Sequence, residues 1–281
     1  MIIEKLHLKN FRHFPEVNIN FNRGFNFISG PNGCGKTSIL AAIGHTLNGY
    51  TEYSRHGENC EYWIDVTEQG RKFRSGKRAG SIIPVGYRKD SLSGSSRPPE
   101  EEGRKPIIYY EVNEIFKLPP LIIGAQRKIT YKNITGMTRE TDVTGSRNHY
   151  CDNSLNYLYN SVERNIKQWM INRYFIIDKD WAVEEKENWE HLIKTLPEIA
   201  PFNSNFKYIR TGRDLEPVFS IYEKECYLEE LSSGFQAILY IIITIFEWIE
   251  SCMPEGERCV KNAEGTVLID ELDNHLHPEW Q

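Results

Sequence analysis

Eight consecutive residues, Gly30-Pro31-Asn32-Gly33-Cys34-Gly35-Lys36-Thr37, have the types and order needed to hold a chain of phosphates. Glycines at the first, fourth and sixth places free the backbone to turn successive N–H groups toward one anion, and a helix starting there adds the positive end of its dipole. Lys36 is placed to reach the β- and γ-phosphates and Thr37 to ligate Mg²⁺, with Asn32, Gly33, Cys34, Gly35 and Ser38 completing the cradle. Far downstream, Gly265-Thr266-Val267-Leu268-Ile269-Asp270-Glu271 is an apolar run ending in two carboxylates. Asp270 is expected to hold Mg²⁺ through water, as the acidic partner of Thr37, and Glu271 to orient or deprotonate the attacking water. Lys36 and Glu271 are therefore the candidate catalytic residues. The plain alternatives are a glycine-rich loop that binds nothing and a strand ending in an acidic turn. Both motifs in this order favour nucleotide chemistry.

Such a loop needs a strand before it and a helix after it. Phe25-Asn26-Phe27-Ile28 predicts the strand; Ser38 to Leu47 predicts the helix, with Ile39, Leu40, Ile43 and Leu47 at helical spacing and Gly49 to end it. Ile2 to Leu8 predicts a first strand, and Val17, Ile19 and Phe21, alternating with asparagines, a second antiparallel to it. Tyr53 to Arg74 holds another strand pattern through Tyr62, Ile64 and Val66, and Leu121-Ile122-Ile123 reads as a short buried strand. Ser154 to Met170 predicts one amphipathic helix, with Leu155, Leu158, Val162, Ile166 and Trp169 on a stripe, and Trp189 to Leu196 another, stopped by Pro197. Ala237 to Ile249 is apolar and predicts a helix buried under the sheet, since about a dozen residues fall short of the roughly 20 that span a bilayer.

With 281 residues, 40% of them hydrophobic, the chain can build a full core without metal or disulfide support. Its six scattered cysteines form no C-x-x-C, and the charged start excludes a signal peptide, so a reducing cytoplasm is the expected compartment. A formal net charge of −5 argues against a uniformly basic nucleic-acid binder, without excluding a local basic face. From Arg71 to Lys105, ten Lys or Arg stand against four Asp or Glu among Gly, Ser and Pro, and 76–105 is expected to be a mobile basic loop.

Leu8-Lys9-Asn10-Phe11-Arg12 resembles the "K-N-F-R" turn of the ATP-binding heads of the RecF, SMC and OLD-type ATPases. By that resemblance Arg12 approaches the nucleotide phosphates; read from the residues alone, it is equally a surface arginine on a strand turn. Leu231-Ser232-Ser233-Gly234-Phe235-Gln236 resembles the ABC signature turn. In that family Ser232, Ser233, Gly234 and Gln236 belong to the turn that meets the γ-phosphate bound by the other subunit, and helix-start N–H groups suit that anion. Gln126, after the Leu121–Ile123 run, resembles the glutamine that contacts Mg²⁺ and the attacking water; Arg127 is an equal alternative, and the reading that neither acts stays open. His275-Leu276-His277-Pro278 is similar to the dimer-interface loop of OLD/PtuA-like AAA-family defence ATPases.

The resemblance implies an α/β fold, a P-loop NTPase of ABC-ATPase type with a mixed sheet, N-terminal antiparallel strands and a helical insertion. Residues 1–134 and 216–281 would be the ATPase core and 135–215 the insertion. Too few heptads are present for a long coiled coil. Ten residues follow Glu271, whereas the family continues to a switch histidine, so the chain is expected to be a fragment. The resemblance implies ATP and Mg²⁺ as cofactors, an ATP-bridged head-to-head dimer or higher oligomer, a separate effector nuclease and a role in antiphage defence, with DNA left open as a ligand and no membrane partner. Two other functions stand beside it: a RecF/SMC-type DNA-repair ATPase, and a nucleotide-gated scaffold with negligible turnover.

Overall fold

The computed structural model describes residues 1–48, 60–78, 97–159, 162–201 and 204–274, and the backbone alone at 81–86 and 89–93. It divides into two units. The first comprises Met1–Ile123, Thr144–Ser161 and Glu264–Asp270, the second Gly124–Val143, Val162–Ala263 and Glu271–Gln281. Gly49 and the His275 to Pro278 segment lie outside the described residues.

In the first unit the alternation of apolar residues near the N-terminus does what period-2 patterns do. Strands β1 (Ile2–Phe11) and β2 (Phe14–Asn20) pair antiparallel, with Leu6 opposite Ile19 and Leu8 opposite Val17. β3 (Glu61–Glu68) and β4 (Arg71–Arg78) extend the sheet, and β7 (Lys105–Ile107) closes it in the order β2-β1-β3-β4-β7, following a separate β5 (Ser81–Gly86) and β6 (Lys89–Ser93) hairpin. Helix α1 (Lys36–His45) packs against this sheet, and Leu6, Leu8, Phe11, Ile39, Ile43, Tyr62 and Ile64 share one core. Each such side chain contributes about 1.5–3 kcal/mol by burial.

The stretch 71–105 therefore carries more regular structure than its composition predicts. Two of its basic residues, on β4, are answered by acids across the ladder: Arg74 grips Asp65 at 2.6 and 2.9 Å, and Arg78 Nε lies 3.3 Å from Glu61. Counting charges along the chain misses partners that only pairing brings opposite.

Lys77, on the same strand, is 4% exposed and lies over the Tyr109 ring. Burial lowers its pKa from 10.5 to about 8. Between those two values the unfolded chain holds a proton the folded chain has lost, so stability rises as pH rises through that window. At about 1.4 kcal/mol per unit the rise is on the order of 3 kcal/mol, and Lys77→Met abolishes it. Urea denaturation of both chains between pH 7.5 and 10 checks this; equal slopes would contradict it.

Helix α2 (Tyr109–Ile115) follows β7, and strand β8 (Leu121–Ile123) pairs parallel with β12 (Val267–Ile269), Ile122 facing Leu268. The predicted strand at Phe25–Ile28 does not form: among the described residues no ladder pairs with it, and Phe25 and Phe27 are 91% and 82% exposed. Strand propensity without a neighbour makes no strand. Helix α3 (Val143–Asp152) leads into α4 (Ser154–Leu158), which lies on α1: Ser154 Oγ donates to Gly44 O at 3.2 Å. Gly44 permits that approach, because a Cβ there would sit 2.9 Å from Leu155.

The expected single helix over Ser154–Met170 is two helices. The second, α5 (Ile166–Ile176), belongs to the other unit and starts afresh at Asn165, whose side chain accepts from Gln168 N. A capping Asn outcompetes a continuous stripe because it satisfies an N–H that helix continuation would leave to chance. α6 (Val183–Ile199) begins earlier than Trp189 and runs through Pro197, which falls in its last turn. A three-stranded antiparallel sheet of β9 (Lys207–Thr211), β10 (Pro217–Ile221) and β11 (Lys224–Tyr227) precedes α7 (Ser233–Cys252).

α7 is 20 residues long, not a dozen, with mean hydropathy 1.5 and 72% of that window buried. Within its unit it packs on α5 and α6. Its Glu250, 3% exposed, accepts from Arg173, Trp169 and Asn188. Burial pushes this carboxyl up, and the donors oppose that shift. A helix whose buried carboxylate is met by three donors from neighbouring helices is a protein-core helix.

Candidate functional site

The phosphate loop ends in a backbone only glycine tolerates. Gly35, the residue before α1, has φ 102°, and a Cβ there would come within 2.3 Å of the His13 ring and 2.7 Å of Phe14. The β1–β2 turn is thus pressed on the loop, and His13 Nε2 lies 3.1 Å from Cys34 O. Asn32, Gly33 and Cys34 are exposed, as groups that meet a ligand must be. The Lys36 ammonium donates to Gly30 O at 2.7 Å and Pro31 O at 3.0 Å, which keeps its charge on the loop.

Thr37 and Asp270, 233 positions apart in the chain, are joined in space. Thr37 Oγ1 donates to Asp270 at 3.0 Å and 3.3 Å. The β8–β12 pairing makes this possible: Asp270 N donates to Ile123 O at 2.9 Å, so the carboxylate stands one step beyond the strand's end, 8% exposed. A hydroxyl and a carboxylate side by side form a hard-oxygen set that fits Mg²⁺, which takes few protein ligands and completes its shell with phosphate and water. Among the described residues no larger cluster of His, Cys, Asp and Glu competes for a metal.

Glu271 follows Asp270 directly, exposed and with φ 47°. Gln126 is exposed and is the third residue after β8; Arg127 beside it is buried. Arg12 stands beside the first turn of α1. It has φ 53°, donates to Ser38 Oγ at 3.1 Å and to the Tyr159 hydroxyl, and so braces the first turn of α1.

The Ser232-Ser233-Gly234 turn opens α7. Ser232 is its extended N-cap residue, and both Ser232 and Ser233 are exposed beside the helix N-terminus. Gln236 turns inward: its Oε1 accepts from Ile129 N at 3.1 Å and its Nε2 donates to Glu229 O and Leu231 O at 3.0 and 2.9 Å. In the sequence it reads as part of the exposed turn, although its place at the fourth position of the helix puts it on the buried face.

A sequence profile described as an AAA domain matches residues 5–233. The chain belongs to the AAA domain family. Among curated relatives, Septu protein PtuA of Bacillus thuringiensis is 29% identical over 284 residues, spanning 100% of this AAA domain chain and 66% of that protein. Septu protein PtuA of Bacillus mycoides is 25% identical, over 99% of this chain and 35% of that protein. DNA replication and repair protein RecF of Desulfitobacterium hafniense is 39% identical over 82 residues, 26% of this chain and 22% of that protein. The chain thus spans less than two thirds of the length of these relatives. Among solved structures, the SMC head domain from Thermotoga maritima matches with TM-score 0.46 and 14% identity, over 97% of this chain and 90% of that one. The family match takes in the glycine loop and the start of α7.

Proposed function

We propose that this AAA domain binds and hydrolyses ATP with Mg²⁺, closes with a second copy around the nucleotide, and gates a nuclease or other toxic effector in bacterial antiphage defence. The observation that carries the ATPase reading is the Thr37–Asp270 contact, which assembles the two halves of a phosphate site from opposite ends of the chain. Backbone N–H groups from Gly33 to Thr37 and the Lys36 ammonium would bind the phosphates, Lys36 exchanging its two carbonyl partners for phosphate oxygens. Thr37 and Asp270 would hold Mg²⁺, with Gln126 as a further contact, and the ion would supply charge neutralisation on the phosphates. Glu271 would take the proton of the attacking water. The defence role follows from the likeness to the Septu relatives and to OLD-type ATPases, and the six free cysteines fit a reducing cytoplasm.

Closure with a second copy gives the two exposed serines of the Ser232-Ser233-Gly234 turn their use. The N-terminus of α7 would meet the γ-phosphate held by the other copy's Lys36. Ser233→Arg places a bulky cation in that contact and is expected to abolish ATP-dependent dimerisation while each copy still binds ATP. Sedimentation velocity with ATP and Mg²⁺, in the Glu271→Gln background to prevent turnover, reads the result. An unchanged dimer fraction would refute the shared site. The RecF relatives favour a second reading, a DNA-repair ATPase, for which turnover rises when duplex or broken-ended DNA is added.

A further inference from the structure

Arg127 is 1% exposed, and its guanidinium donates to backbone carbonyls of two segments. Nη2 donates to the carbonyls of Glu271 at 2.6 Å, Asn274 at 3.2 Å and Leu272 at 3.4 Å, and Nη1 donates to Gly124 O at 3.3 Å. The lacing runs the other way too: Asn274 Nδ2 donates to Ala125 O at 3.3 Å, and Asn274 N closes the turn onto Glu271 O at 2.9 Å. Glu271 itself holds φ 47°, a conformation that residues with a Cβ keep only where their surroundings impose it. Its carbonyl takes the shortest of the Arg127 bonds.

We propose that Arg127 is the positioning residue for Glu271: its guanidinium sets the turn after β12 so that the Glu271 carboxylate is presented in one orientation. Gln126 precedes Arg127 in the chain, so the same bonds tie that exposed amide to the turn. Downstream the segment is pinned again, because Ile129 N donates to Gln236. A guanidinium suits this role because its donors lie in a rigid plane and reach several carbonyls at once, whereas lysine offers one rotatable point charge. The inference rests on Glu271 being the group that activates water.

The test is single-turnover ATP hydrolysis by the parent chain, Arg127→Lys and Arg127→Gln, each with and without Glu271→Gln. Arg127→Lys is expected to lower the rate about tenfold and Arg127→Gln about a hundredfold, with ATP affinity changed by less than about threefold. In the Glu271→Gln background neither lowers it further, since the group they position is gone. Losses that multiply in both backgrounds would overturn the proposal. If Arg127→Gln does not fold, the lysine variant carries the comparison. Hydrogen exchange at the Asn274 amide supplies a reading independent of turnover: it speeds up about tenfold or more in Arg127→Lys, and unchanged exchange overturns the proposal. Should the parent chain hydrolyse no ATP, the reading of Glu271 fails, and the exchange result alone decides whether Arg127 holds the turn.

Discussion

A chain carrying Lys36→Ala is expected to bind ATP about a hundredfold or more less tightly than the parent and to keep its melting temperature. The ammonium is held at 2.7 Å from Gly30 O and 3.0 Å from Pro31 O, so it is already stationed on the loop instead of ranging through solvent. Charge-assisted hydrogen bonds contribute about 1.5–3 kcal/mol each, and two of them to phosphate oxygens, at about 1.4 kcal/mol per tenfold, give a hundredfold at the lower end of that range. Stability is spared because the two carbonyls left behind lie in an exposed loop where water satisfies them. Titration with a fluorescent ATP analogue, beside thermal melting, checks both halves. Affinity equal to the parent's would mean that this loop does not hold phosphates.

The second large effect falls on turnover alone. Glu271→Gln is expected to cut ATP hydrolysis by about 10²–10⁴ while leaving ATP affinity intact, the range by which a positioned acid–base group accelerates a reaction. Glutamine keeps the length and hydrogen-bonding reach of the side chain, and the backbone bonds from Arg127 and Asn274 do not involve the carboxylate. What is lost is the capacity to accept a proton. Phosphate release at saturating ATP measures the loss, and binding measured in parallel separates it from a damaged site. Full turnover by the variant would move the base elsewhere, with Gln126 and its neighbours the next residues to change.

Prediction from the chain succeeds where chemistry is local and fails where it depends on neighbours. The loop from Gly30 to Thr37 is legible because backbone freedom, charge and hydroxyl must sit at fixed offsets to grip phosphate. Gly35 shows why: its φ of 102° and the His13 ring leave room for no other residue. Phe25 to Ile28 has strand composition and forms no strand, since a ladder needs a second chain segment that composition cannot summon. Lys77 and Arg78 look like loop residues until β3 lies beside them. The helix stripe from Leu155 to Trp169 breaks at a cap, Asn165, that gains more from closing a new helix than from extending the old one.

By itself the sequence determined which groups could handle a nucleotide: a glycine loop with Lys36 and Thr37, a strand tipped with Asp270 and Glu271, and two exposed serines opening an apolar helix. Only the tertiary structure decided which of them meet. It brought Thr37 to Asp270 through the parallel pairing of β8 with β12, turned Gln236 inward, made Arg12 a brace for α1 and gave Arg127 the turn that carries Glu271. The physical reason is one of range. Motif chemistry is written in spacings of a few residues, whereas hydrogen-bond partners from 26 to 233 positions apart are selected by how strands and helices pack, which no short window of the chain contains.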